Sequence, residues 1–271
     1  MKPRIIVGVI GAPLLFAIVW AGSPFLPILV GLASLWSLWE FHRLARDAGA
    51  RVSLPLGVIL TILFIINGQL TADESNFAIE LIIVTLAMSL SWALWLQLKG
   101  NAGFAKNLLL TALGPLYVGL LLSHSLMLRE AGNALYDGRD WLLYAIFVTF
   151  ATDTAAYFTG KAIGRHKMAP SISPNKTWEG AVGGMLGALG ASFGLAAILD
   201  LNISLGWQAV VGAMLGLGAQ IGDLAESWFK RRAKAKDASH ILPGHGGLLD
   251  RLDSLLVTIP ITYYLPALII Y

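Results

Sequence analysis

Five carboxylates in this chain stand where carboxylates are costly or crowded. Asp153 lies in the apolar stretch FATDTAAYFTG, Asp223 and Glu226 in AQIGDLAESWFKR, and Asp250 and Asp253 in LLDRLDS. Asp223 and Glu226 are three residues apart, as are Asp250 and Asp253, so on a helix each pair shares a face. A carboxylate inside a membrane span costs at least ~2.5–3.5 kcal/mol and usually faces a cavity or a partner. Taken singly, each acid also reads as half of a structural ion pair or as an exposed helix-end charge. Taken together they repel one another, and a cation removes that cost. Ligands that are all oxygen suit a hard ion such as Mg²⁺. His240 and His245 offer zinc as an alternative, but without cysteine nearby they match zinc-site patterns poorly.

Basic residues surround the acids. Lys230, Arg231, Arg232, Lys234 and Lys236 follow the first pair, and Lys161, Arg165, Lys167 and Lys176 precede it along the chain. Loop-charge bias and attraction to anionic headgroups account for part of this. They do not account for PGHGG at 243–247, where adjacent glycines let backbone N–H groups approach an anion. Acidic metal ligands, cations and a glycine loop are what phosphoryl-type chemistry requires, because charge must be spread and neutralised in the transition state. No GxxxxGK[ST] loop is present; GKAIGRHK has the wrong order and spacing.

The elements that must position these groups are membrane spans. The chain of 271 residues is 56% hydrophobic and only 13% charged, about half the charge of a soluble protein. Its mean hydropathy is +0.71. Nine apolar stretches reach or approach the ~20 residues of a spanning helix. They lie near 4–22, 24–41, 54–70, 79–98, 107–128, 141–159, 180–199, 207–226 and 253–270. The second and third are the shortest. The first is long for a cleaved signal peptide and is expected to be retained. With the N-terminus inside and the spans alternating, only Arg129 and Arg139 of the 19 basic residues fall outside. That asymmetry predicts an all-α integral membrane protein with about nine transmembrane helices, N-in and C-out. The pI of about 9.2 then reflects inner loops and lipid headgroups rather than nucleic acid. The absence of cysteine excludes disulfides and thiolate metal sites.

Two regions differ in character. Residues 1–140 read as a hydrophobic scaffold of about five spans. Residues 141–271 read as a catalytic core of about four spans, with cytoplasmic loops 160–179 and 227–252. In the core, Gly183 and Gly187, Gly190 and Gly194, Gly212 and Gly216, and Gly218 and Gly222 are each four apart, the spacing that lets helix backbones approach in lipid. Tight helix packing is the favoured reading, over ligand contact.

The polar segments of this core resemble a known family. SWFKRRAKAKDASHILPGHGGLLDRLDS, residues 227–254, is similar to the signature of phosphatidate cytidylyltransferases, also called CDP-diglyceride synthases. The matching positions are Ser227, Lys230 and Arg231, Lys236 and Asp237, Pro243 with His245, Gly246 and Gly247, and Asp250, Arg251 and Asp253. A second block, DTAAYFTGKAIGRHKMAPSISPNKTWEGAVGG at 153–184, resembles the family's other polar stretch. The resemblance covers residues 145–260; the first 140 match only in being hydrophobic.

The resemblance implies transfer of CMP from CTP to phosphatidic acid, giving CDP-diacylglycerol and pyrophosphate, at the cytoplasmic side of a bacterial inner membrane. It implies Asp223 and Asp250 as ligands of Mg²⁺, with a second cation such as K⁺ beside it. Lys176, Lys230 and Arg231 are then expected to clamp phosphates, and His245, Gly246 and Gly247 to form an anion-holding loop. Asp153, Ser173, Thr177 and Glu179 are expected to shape a pocket between the sixth and seventh spans. Asp237 and Arg251 read equally as a structural pair. Small-residue faces and the family both point to a homodimer. Two rivals stay open on the sequence alone. One is an ion-coupled transporter, which would place its acids near the midplane with access to both faces. The other is a different Mg²⁺-dependent lipid-phosphate transferase, such as one acting on polyprenyl phosphate.

Overall fold

A computed structural model of the chain describes residues 2–70, 77–133, 136–239 and 246–269. Among these described residues there are ten helices: α1 (Lys2–Ala21), α2 (Phe25–Asp47), α3 (Leu54–Leu70), α4 (Ala78–Leu98), α5 (Phe104–Glu130), α6 (Gly138–Ile163), α7 (Trp178–Ile198), α8 (Leu205–Arg232), α9 (Leu249–Leu252) and α10 (Leu255–Ile269). Two small antiparallel hairpins complete it, β1 (Gly132–Asn133) with β2 (Tyr136–Asp137) and β3 (Lys167–Ala169) with β4 (Ser173–Thr177). This is the architecture of an all-α membrane protein.

Among the described residues, six helices are long and apolar enough to cross a membrane: α2, α4, α5, α6, α7 and α8. Each of the nine expected stretches folds as a helix, but α3 has 17 residues and α10 has 15, and the described apolar part of α1 is Gly11–Ala21. Helix ends also differ from the hydropathy limits. The second stretch, expected to stop at Phe41, continues through the charged HRLARD to Asp47 and ends where Gly49 takes φ +85°. Hydrogen bonding extends a helix regardless of polarity, and a left-handed glycine ends it. In α5, residues 115–120 form a π-helical turn. Pro115 has no N–H to give to the carbonyl four residues back, and the helix widens there.

The chain divides into two compact units: residues 1–127 with 229–250, and residues 128–228 with 251–271. The first unit is built on α1–α5. Its core includes Leu38, Phe41, Leu44, Leu60 and Phe64, all nearly inaccessible, and Phe41 stacks on Phe229 with ring centroids 4.8 Å apart. The turn after α2 is tied down by side chains: Arg51 N–H donates to Asn107 at 2.8 Å, and Trp92 Nε1 donates to the Arg51 carbonyl at 2.9 Å.

In the second unit, glycines set the helix spacing. A Cβ at Gly183 would overlap the Thr159 side chain, and one at Gly187 would overlap Ala155, so α6 and α7 meet almost backbone to backbone. Gly212 and Gly216 face Ser192 and Ala188 on α7, while Gly218 and Gly222 face α10 and the residues just before it. Gly190 and Gly194 have nothing within 4 Å of an added Cβ. Tight packing therefore explains the small residues except at these two. Polar contacts supplement it: Tyr144 and Ser192 hydroxyls lie 2.5 Å apart, and Thr149 donates to Thr258 at 2.9 Å. Gly183→Ala should lower stability by about 1–3 kcal/mol through overpacking, whereas Gly190→Ala should be neutral. Thermal unfolding in detergent distinguishes the two.

Candidate active site

In the second unit the expected residues are placed by the β3–β4 hairpin and the helices on either side of it. Helix α6 ends at Ile163. At Gly164 a Cβ would lie 2.6 Å from Thr177 Oγ1, so only glycine lets the chain turn there. The hairpin pairs Lys167 with Thr177 and Ala169 with Ser173. Thr177 then caps α7, its buried hydroxyl accepting from the Gly180 N–H at 3.1 Å, which satisfies one of the helix's orphan donors. Glu179 closes the hairpin base. Its carboxylate accepts from the N–H groups of Arg165 and His166 at 3.1 and 3.2 Å and lies 2.6 Å from His166 Nδ1.

This scaffold projects Lys176 onto Asp223 of α8, with Nζ 2.8 Å from Oδ2. Asp223 Oδ1 accepts from Ser227 one turn later at 3.3 Å. The pair is partly open, with side chains 21% and 36% exposed. Asp153 of α6 lies within electrostatic range of Asp223, Lys176 and Arg251. Two acids and two bases thus share this region. Asp253 is buried and accepts from the Ser254 N–H at 2.7 Å. An apolar groove of about 480 Å³ runs between α6 and α7, lined by Thr159, Ile163, Trp178, Glu179, Val182, Gly183 and Leu186. Of the four residues expected to shape a pocket there, Glu179 lines it.

The first unit holds the other acid. Lys230 Nζ lies 2.5 Å from Asp250 Oδ1, and both side chains are nearly buried, at 11% and 6% exposure. Asp250 Oδ2 also accepts from the N–H groups of Ala238 at 3.0 Å and Gly247 at 2.7 Å. Gly246 takes φ +80°, and a Cβ there would sit 2.7 Å from Asp250 Oδ2. The expected anion-holding glycines therefore enclose the protein's own carboxylate. Arg231 donates to the Ala235 carbonyl at 3.2 Å just beyond the end of α8, a position where cations also suit the helix dipole. Lys236 is exposed and Asp237 half-buried. His245 lies outside the described residues, as do His240 and Pro243.

One residue with a clear part in this geometry is absent from the expected set. Glu40, near the end of α2, is fully buried and accepts hydrogen bonds from the segments flanking residues 240–245. The rule that singles out Asp153, a carboxylate inside an apolar stretch, applies equally to Glu40 in SLWSLWEF.

Among the described residues, no group of three or more histidines, aspartates or glutamates could hold a metal by itself. Mg²⁺ needs only one or two protein carboxylates, with water and substrate phosphate completing its shell. Asp223 and Asp250 meet that requirement in kind. Each presents hard anionic oxygens, and each already faces a cationic ammonium.

Comparison with known proteins bears directly on this chemistry. Residues 2–269 match the cytidylyltransferase family. The chain is 34% identical to the phosphatidate cytidylyltransferase of Bacillus subtilis over 99% of its own length and 98% of the relative's. It is 32% identical to that of Staphylococcus haemolyticus, covering 96% and 97% of the two chains. With that of Haemophilus influenzae it shares 30% identity over 97% and 98%. The transporter and polyprenyl-phosphate readings gain no such support.

Proposed function

The chain belongs to the cytidylyltransferase family, and on that premise we propose how its residues serve the reaction. The protein transfers CMP from CTP to phosphatidic acid, giving CDP-diacylglycerol and pyrophosphate. An oxygen of the lipid phosphate bonds to the α-phosphorus of CTP as the bond from that phosphorus to the bridging oxygen of pyrophosphate breaks. The nucleophile is ionised at neutral pH, so no general base is needed. The task left to the protein is to bring two anions together and hold them in line.

Asp223 and Asp250 are proposed to ligate Mg²⁺, with K⁺ as a candidate second cation. When bound, the metal neutralises phosphate charge and stabilises the leaving pyrophosphate. The observation that supports this reading is that each carboxylate is held against a lysine, at 2.8 Å for Lys176 and 2.5 Å for Lys230. Lys176, on the more open pair, is proposed to bind a substrate phosphate. Lys230, almost buried, holds Asp250 in orientation. Thr177 and Glu179 fix the hairpin that carries Lys176, and Ser227 orients Asp223. Arg231, Lys236 and Arg251 supply further positive charge for the nucleotide.

The supporting experiment is direct. Protein purified in detergent and given CTP, phosphatidic acid and Mg²⁺ should release CDP-diacylglycerol, and EDTA should stop it. Folded protein that makes no product would refute the reading. We place nine spans in a bacterial inner membrane, with the site facing the cytoplasm and a homodimer as the assembly. The chain has no native cysteine, so Lys236→Cys introduces a single label. An impermeant maleimide should modify it in inside-out vesicles and not in right-side-out ones.

A further inference from the structure

Glu40 is fully buried. Its carboxylate accepts from Trp36 Nε1 at 3.1 Å on its own helix, from the Ser239 hydroxyl, and from the N–H groups of Leu248 at 3.1 Å and Leu249 at 2.7 Å. A carboxylate offers about four acceptor sites, so these four donors leave little capacity for a ligand. Three of the donors come from the stretch that leads into Asp250.

Gly247 shows how close the contact is. A Cβ there would fall 2.7 and 2.8 Å from the two Glu40 oxygens. The next two N–H groups, of Leu248 and Leu249, go to Glu40, while that of Gly247 itself goes to Asp250. Three successive backbone donors are thus divided between two carboxylates, and the division fixes the direction in which Asp250 points. Leu249 is fully buried, so its N–H has no water to turn to if Glu40 is lost.

We propose that Glu40 is a positioning residue for nucleotidyl transfer: it clamps the backbone at 247–249 and thereby aims Asp250. The metal-related consequence rests on the reading of Asp250 as a Mg²⁺ ligand. The clamp itself does not.

Two variants test it. Glu40→Gln keeps the shape but turns an NH₂ toward N–H donors. Ser239→Ala removes one donor and leaves the carboxylate. Hydrogen exchange of metal-free protein should show residues 247–252 exchanging at least about tenfold faster in Glu40→Gln, with α6 and α7 unchanged. The Mg²⁺ concentration for half-maximal activity should rise about 10–100-fold, as for other lost supports of a metal ligand, with the KM for CTP at saturating Mg²⁺ moving less. Ser239→Ala should shift both in the same direction by a smaller factor, and it decides the matter if Glu40→Gln does not fold. Unchanged exchange at 247–252 would overturn the proposal. So would a loss of thermal stability with no change in Mg²⁺ requirement, which marks a merely structural role. If Asp250→Asn leaves the Mg²⁺ requirement intact, the metal-ligand reading fails, and the exchange measurement still decides whether Glu40 holds the loop.

Discussion

Asp223→Asn is expected to lower Mg²⁺-dependent turnover by roughly 10²–10³-fold, the scale on which a lost electrostatic stabiliser acts, with little change in thermal stability. Asn keeps the side-chain shape but removes the charge that a hard cation requires. The surroundings can absorb the change. Asp223 is 36% exposed and its Ser227 contact is long at 3.3 Å. Asp250→Asn should lose activity to a similar degree, but with a stability cost. Its amide would have to face the N–H groups of Ala238 and Gly247 and the Lys230 ammonium, all donors. Rates of CDP-diacylglycerol formation across a Mg²⁺ titration, measured beside unfolding curves, separate the two variants. Near-normal turnover in either would remove that residue from the metal site.

Lys230→Met should be the most destabilising single change in the site, by about 3–5 kcal/mol. The substitution roughly preserves volume and removes the cation that compensates a carboxylate only 6% exposed. The loss comes from leaving Asp250 charged and buried, not from the absent attraction. The double variant Lys230→Met with Asp250→Asn should therefore recover much of the stability while remaining inactive. Denaturant or thermal unfolding of the four proteins forms a double-mutant cycle. If the double variant is no more stable than Lys230→Met, the pair is not what holds this region together.

Much of the site is legible in the amino-acid sequence. Asp153, Asp223 and Asp250 stand out because a charge in an apolar stretch needs a reason. Their family-like spacing with Lys176, Lys230 and the glycine run indicates the chemistry. The partner of each acid is not legible there. Lys176 and Asp223 are 47 residues apart, and nothing in either local pattern names the other. Glu40 meets the same rule, but a hydropathy window absorbs one charge near its end and passes over it. Its hydrogen-bond partners lie 199 and 209 residues further along. The hairpin at 167–177 is equally hard to see, since its strands are three and five residues long and are organised by Glu179 and Thr177 rather than by alternation.

The sequence by itself determined the helical membrane character, the family and the acids and bases that the chemistry needs. These follow from composition, local spacing and motif, which are properties of neighbouring residues. Tertiary structure alone decided which lysine faces which aspartate, that Gly247 must be bare because a carboxylate sits against it, and that residues 229–250 pack with the N-terminal helices. Apolar pattern specifies that a helix face is to be buried but not against what. That choice depends on shape and on pairing buried polar groups, both of which join residues far apart in the chain.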